Sequence, residues 1–229
     1  MDSNVLNLLV KLIVGATAGA AAGIYVPVWV KKIISYKCGK RGVPAPKEIM
    51  TDRKVVIAAA AVDTILAALT AVTMKPAAAA AAFLILQIAL TCVFVDWYIR
   101  IIANEAIVLL LVLGVIYRIL AGGASSLMGS IGALALVTAL FGGCAAALTA
   151  MKGNPGVGAG DLKYAMVLAI TVGWPSVLYM LLCFAATVLI NIFIGMKISG
   201  FTMKTYFPMC LHLSVGLLGA FFLPVLGIV

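Results

Sequence analysis

Two aspartates, Asp96 and Asp161, are the residues of this sequence best suited to chemistry. Asp96 closes one long apolar run, and Asp161 opens another directly after Gly158-Ala159-Gly160. A carboxylate inside or at the edge of hydrocarbon is costly and tends to be kept for a task or a partner. Two carboxyls brought within a few ångströms cannot both ionise readily and share a proton over part of the pH range. One can then take a proton from water while the other gives one to a developing tetrahedral intermediate, which is the chemistry of an aspartic protease. The plainer reading makes both aspartates interfacial charges paired with Arg100 and Lys163. The neighbouring glycines favour the chemical one. Gly158 and Gly160 permit positive φ and a close backbone approach, as an extended peptide substrate would require. The stretch Gly153-Asn154-Pro155-Gly156-Val157 before them could sink below the headgroups only if it were buried in protein or lined a wet cavity.

The elements that must position these carboxyls are membrane helices. With 65% hydrophobic residues, 10% charged residues and a mean hydropathy of +1.24, the chain is far more apolar than a soluble domain. A spanning helix needs roughly 20 apolar residues. Eight spans are predicted, at Leu6 to Val30, Val55 to Thr73, Ala77 to Val95, Ala106 to Ala121, Ser130 to Ala150, Leu162 to Val172, Ser176 to Met196 and Tyr206 to Ile228. The sixth is short, and Gly173-Trp174-Pro175 reads as its turn. A single helix kinked at Pro175 would leave seven spans. The expected fold class is therefore all-α, a polytopic integral membrane protein with about eight transmembrane helices.

Charge orders the loops. The net charge of +9 does not point to nucleic acid, because the basic residues sit at the ends of apolar runs, where they set orientation. Lys31, Lys32, Lys37, Lys40, Arg41, Lys47, Arg53 and Lys54 stand against only Glu48 and Asp52, which makes their loop cytoplasmic. Alternation then puts Arg100, Lys152, Lys163, Lys197 and Lys204 on the same side and leaves Lys11, Lys75 and Arg118 elsewhere. Asp96 and Asp161 fall at that cytoplasmic boundary, and both termini fall outside. The first apolar run begins without a basic segment and continues to full length, so it reads as a span rather than a removable signal. The organisation expected is a first transmembrane helix over 1–30, a short basic cytoplasmic loop over 31–54 and a transmembrane core over 55–229.

The motifs resemble those of the type IV prepilin peptidases, a branch of the GxGD intramembrane aspartyl proteases with the archaeal preflagellin peptidases as relatives. Gly158-Ala159-Gly160-Asp161-Leu162-Lys163 matches the GxGDxK motif at every fixed position. Asp96-Trp97-Tyr98-Ile99-Arg100-Ile101-Ile102-Ala103-Asn104 is similar to the family's DxxxxxIPN, with Ala103 where the proline stands. The separation of 65 positions between the aspartates leaves room for two crossings. Tyr206-Phe207-Pro208 is faintly similar to a Pro-Phe-Gly-Pro segment of the family. The resemblance implies an endopeptidase of the cell membrane that removes the leader of type IV prepilin-like precursors at the cytoplasmic face. In it Asp96 and Asp161 are the catalytic pair, Gly158, Gly160 and Lys163 shape the loop or meet substrate, and Asn104 is a supporting donor.

The departures carry their own expectations. Larger members bear a cytoplasmic domain with two CxxC pairs that bind zinc and that is associated with methylation of the new N-terminus. Here the corresponding loop offers only Cys38, so neither a metal nor a cofactor is expected. Cys92, Cys144, Cys183 and Cys210 lie in apolar spans without CxxC spacing and read as small core residues. Asp63, deep in the second span, should face the bundle interior, either as a structural hydrogen-bonding group or beside the site. His212 reads as a satisfied core residue, Gly15 to Gly23 as a helix-packing face, and Ala77 to Ala82 as helical filler. The partners implied are prepilin-like proteins and the lipid bilayer, without nucleic acid. Two other classes remain open on these residues. The presenilin and signal-peptide-peptidase branch shares GxGD, but its tyrosine-aspartate pair and PAL motif are missing. A transporter could use two carboxylates for proton coupling of a small solute.

Overall fold

The computed structural model describes residues 3–153, 158–198 and 209–225, and among them it is built of helices without strands. In chain order these are α1 (Ser3–Arg41), α2 (Arg53–Thr73), α3 (Pro76–Ile99), α4 (Asn104–Gly122), α5 (Ser126–Val137), a π-helical turn (Thr138–Gly142), α6 (Gly143–Lys152), α7 (Ala159–Val172), α8 (Val177–Ile198) and α9 (Met209–Phe222). Since α5, the π turn and α6 form one continuous rod, the described residues make eight helical rods. Among the described residues, six segments are long and apolar enough to cross a membrane, and Met209–Phe222 is a shorter apolar helix. The protein is thus an all-α, multi-pass membrane protein. Pro175 does not kink one long helix. α7 stops at Val172, Gly173 takes φ 64°, and the Trp174 N–H donates to the Gly129 carbonyl before α8 begins. Asn154–Val157 and the Tyr206-Phe207-Pro208 similarity lie outside the described residues.

The chain divides into two compact units, residues 1–101 and 102–229. In the first, α1 packs along α2, and α3 packs on both. Gly15, Gly19 and Gly23 form the α1 face that meets α2. A Cβ at Gly19 would lie 2.6 Å from the Asp63 carbonyl, and one at Gly23 would lie 2.6 Å from the Ala60 Cα. The packing-face reading is therefore right, and its cause is the close approach of two backbones. α3 is apolar all round and buried along most of its length, as such a helix must be. Its alanines are not filler: Ala78, Ala79, Ala81 and Ala82 are buried.

α1 is 39 residues long, about 58 Å at the helical rise, against about 30 Å of hydrocarbon. The segment expected as a loop therefore begins as helix, and α1 runs on to Arg41 before the chain turns back through 42–52. Val26, Val30, Ile34 and Cys38, spaced four apart, bury one stripe of it with Ile49, Met50, Ala59 and Val95.

In the second unit α7 is the central helix, in contact with α4, α5 and α9. Tyr164, Ala165, Leu168 and Ala169 are fully buried. Only 14 residues long, it is shorter than a lipid-exposed span, and protein surrounds it instead of lipid. Arg118 secures its end. The guanidinium donates to the Val172 carbonyl at 2.9 Å and the Ser126 carbonyl at 2.8 Å, and lies against Gly173, where a Cβ would sit 2.6 Å from Cζ. Ser126 Oγ returns a bond to the Arg118 carbonyl at 2.7 Å. A cation at a helix C-terminus also complements the macrodipole. Arg118→Met is expected to leave both carbonyls without this donor and to cost about 1–3 kcal/mol, read as a lower thermal midpoint in detergent. An unchanged midpoint would show that the clamp does not hold α7.

Candidate functional site

Asp96 lies in the last turn of α3 and is 8% exposed. The helix ends there because Arg100 turns left-handed at φ 52°, ψ 45°, and its N–H closes on the Asp96 carbonyl at 2.8 Å. Left-handed geometry in a residue with a Cβ costs of order 1 kcal/mol, so the stop is held by its surroundings. Cys92 is buried one turn earlier on the same helix. A thiol packed there fits the small-core-residue reading, which also holds for Cys210; Cys183 is only half-buried, Cys144 is exposed and contradicts the reading, and Cys38, outside that reading, is buried.

Asp161 lies at the opposite kind of helix end. Gly158 is the N-cap of α7, with φ −66° and ψ 140°, and Asp161 is its third residue, half-buried. The carboxyl folds back over the cap. A Cβ at Gly158 would lie 2.8 Å from Asp161 Oδ2, so a side chain there would crowd the carboxyl and displace its tip, while φ is negative and asks nothing special of glycine. A first-turn carboxylate gains roughly 0.3–1 kcal/mol from the macrodipole and the unpaired N–H groups. Gly160 faces Ile102, whose Cβ would be 3.6 Å from an added Cβ. This contact lies within the second unit. Asp96 belongs to the first unit and Asp161 to the second.

The remaining sequence-predicted residues are placed as follows. Asn104 is the first residue of α4, exposed, and lines a shallow groove with Glu105, Val108, Leu109 and Val112 on one face of that helix. Lys163 is exposed on the first turn of α7. Asp63 is fully buried in α2 beneath Gly19 and Gly23, with Gln87 of α3 as its interacting side chain. Neither Asp63 oxygen nor Gln87 Nε2 closes a hydrogen bond of standard geometry, so the two are adjacent without being locked. His212 is buried with Nε2 3.1 Å from Asn191 Nδ2, as a satisfied core residue should be.

Sequence reasoning missed Tyr98, whose hydroxyl accepts the Met50 N–H at 3.0 Å, and the bond between Tyr164 and Ser214, 2.8 Å apart. Tyr98 stood inside the quoted motif at a variable position; nothing local told of its partner 48 residues away. Among the described residues no group of three or more His, Cys, Asp or Glu is placed to hold a metal ion.

Residues 83–223 match the model of the type IV leader peptidase family. No curated protein and no solved structure matches the chain. The match includes both aspartates, Ala103 and the glycine motif, and leaves α1, α2 and Asp63 outside it.

Ala103 caps α4 at φ −69° and ψ 125°, within the range that proline imposes, and the first helical turn needs nothing from its N–H. The proline of the resembled motif therefore fits. Ala103→Pro is expected to hold or raise stability, by about 0.4–1 kcal/mol through the unfolded state, measured as the thermal midpoint in detergent. A clear fall would mean that the Ile102–Asn104 connection is built differently.

Proposed function

The chain belongs to the type IV leader peptidase family, and on that premise we propose that it is an intramembrane aspartic endopeptidase that uses Asp96 and Asp161 to cleave the leader of type IV prepilin-like precursors. The observation that carries this reading is that the family match spans both aspartates together with the glycine motif that caps α7. The site is assigned to the cytoplasmic face of the cell membrane, on the strength of the cations gathered between α1 and α2.

The helix ends divide the labour. Asp161, in the first turn of α7, is favoured as the carboxylate. It takes a proton from water as the water oxygen bonds to the scissile carbonyl carbon. Asp96, holding the shared proton, gives it to the carbonyl oxygen, so the tetrahedral intermediate forms as a neutral gem-diol. In the second half Asp161 passes its proton to the leaving nitrogen, the C–N bond breaks, and Asp96 recovers a proton from the diol. Protons balance over the cycle and one water is consumed. Gly158 leaves room at the cap for the Asp161 carboxyl, and backbone without a side chain there suits the close approach of an extended peptide. The apolar part of the precursor would remain in the bilayer, beside the cut.

The test is cleavage of a purified prepilin-like precursor by protein in detergent or vesicles. Asp96→Asn and Asp161→Asn are each expected to lose nearly all activity while expressing and folding as before, because one carboxyl cannot play both parts. More than about a tenth of the wild-type rate in either variant, about 1.4 kcal/mol in the barrier, would overturn the pairing.

A second expectation follows from the same scheme, in which two carboxyls supply every proton transfer. Cleavage should persist in excess EDTA, with no stoichiometric zinc by elemental analysis and no methyl added to the product from S-adenosylmethionine. Loss of cleavage on chelation, restored by zinc, would contradict it.

A further inference from the structure

The turn between α1 and α2 carries an unusual residue. Met50 has φ +47°, a left-handed value that a residue with a Cβ adopts only when its surroundings force it, yet it is 3% exposed and helps form the core of this end of the first unit. Its N–H donates to the hydroxyl of Tyr98 at 3.0 Å. Ile49 beside it is 6% exposed, packed with Val30, Ile34, Cys38 and Val95. Phe94, Tyr98 and Ile99 of α3 lie against the same cluster.

These contacts concentrate on the last turn of α3, the turn that carries Asp96. At 3.6 residues per turn Val95 and Tyr98 share one face, while Asp96 points roughly 200° away from Tyr98. The turn therefore grips α3 from the side opposite the carboxyl. What it fixes is the backbone of Asp96, whose carbonyl also receives the Arg100 N–H at 2.8 Å.

We propose that residues 49–50, clasped to Tyr98, are a positioning brace for Asp96, so that the turn between α1 and α2 is part of the catalytic apparatus and Tyr98 a positioning residue for the reaction. The inference rests on the peptidase reading above. The left-handed strain at Met50 has a place in it: the conformation aims the N–H at Tyr98 while the side chain enters the core.

Tyr98→Phe removes only the hydroxyl. Steady-state cleavage is expected to show kcat lowered by roughly tenfold with KM within about twofold, since a displaced Asp96 impairs the chemical step and leaves substrate docking alone. The pH–rate profile should keep its shape, because the titrating groups are unchanged. Ile49→Ala, a second route to the same loosening, should lower kcat in the same direction should Tyr98→Phe fail to accumulate. Tyr36→Phe, at an exposed tyrosine of α1, should leave both parameters at wild type. Asp96→Asn is run beside them. If it is inactive while Tyr98→Phe and Ile49→Ala keep wild-type kcat, the brace is overturned and the peptidase reading stands. A rise in KM at constant kcat would equally overturn positioning, and an active Asp96→Asn would overturn the reading on which the brace rests.

Discussion

A carboxyl used beside a bilayer must stay reactive in surroundings that oppose its charge, and this constraint orders the whole molecule. An ion moved into hydrocarbon without partners loses far more free energy than any single contact returns. Here each candidate carboxyl is mounted at the end of a helix packed into the core of its unit, Asp96 at the C-terminus of α3 and Asp161 at the N-terminus of α7. A helix end supplies unsatisfied backbone groups of fixed direction, and so supplies polarity where the side chains around it are apolar. The signs differ: the start of α7 attracts negative charge and the end of α3 does not. Two chemically identical side chains thus acquire different tendencies from backbone alone.

The rest of each unit serves those two helix ends. α3 is surrounded because its residues are apolar on every face, and the glycines of α1 let that helix close on α2 around it. α7 is short because it need not meet lipid along its length, so its first turn need not lie at a lipid-exposed boundary. Its far end is closed by Arg118, a cation expected from charge alone merely to lie away from the basic side. Gly114 and Thr171 press together where α4 crosses α7, a contact that admits no side chain on α4 at that point. In both units small residues set helix spacing, while a few polar groups fix helix ends. That is the division expected where lipid tails are as apolar as the core and packing must supply what the hydrophobic effect does not.

What the sequence made legible was whatever has a local signature. Apolar length gave the helices, Gly173 and Pro175 gave the break between α7 and α8, and the glycine-aspartate pattern gave the N-terminus of α7 with its carboxyl in the first turn. What stayed hidden depended on partners distant in the chain. The run Ala77 to Ala82 has no polar face and no large side chain to mark it as core, yet its smallness is what lets α3 be enclosed. Cys144 has the composition of a core residue, but the rotation of its rod turns it outward. The helical continuation of α1 past Val30 was obscured by its cations, whose charge announces a membrane boundary whether the backbone there is helix or loop. Asp63 was expected to face the bundle interior and is buried there, but Gln87 as its neighbour could not be read from spacing.

The turn after α1 shows how side-chain packing and one directional bond can order a short segment against a helix. Larger proteins that this chain resembles tie theirs with zinc, through four ligands; this one has a single cysteine, and that cysteine is in the core of the turn. Past Val30 the sequence turns basic, and Ile34, Cys38, Ile49 and Met50 are nevertheless buried together. At roughly 1.5–3 kcal/mol for each large apolar side chain, packing outweighs the one hydrogen bond of about 1 kcal/mol between Met50 and Tyr98. Packing therefore decides whether the turn is ordered at all. The hydrogen bond, being directional, decides its register against α3, because apolar side chains tolerate sliding that a donor and acceptor 3.0 Å apart do not. A zinc site delivers attachment and register through one set of ligands; this fold obtains the first from a stripe of side chains four residues apart and the second from a single tyrosine two residues beyond Asp96.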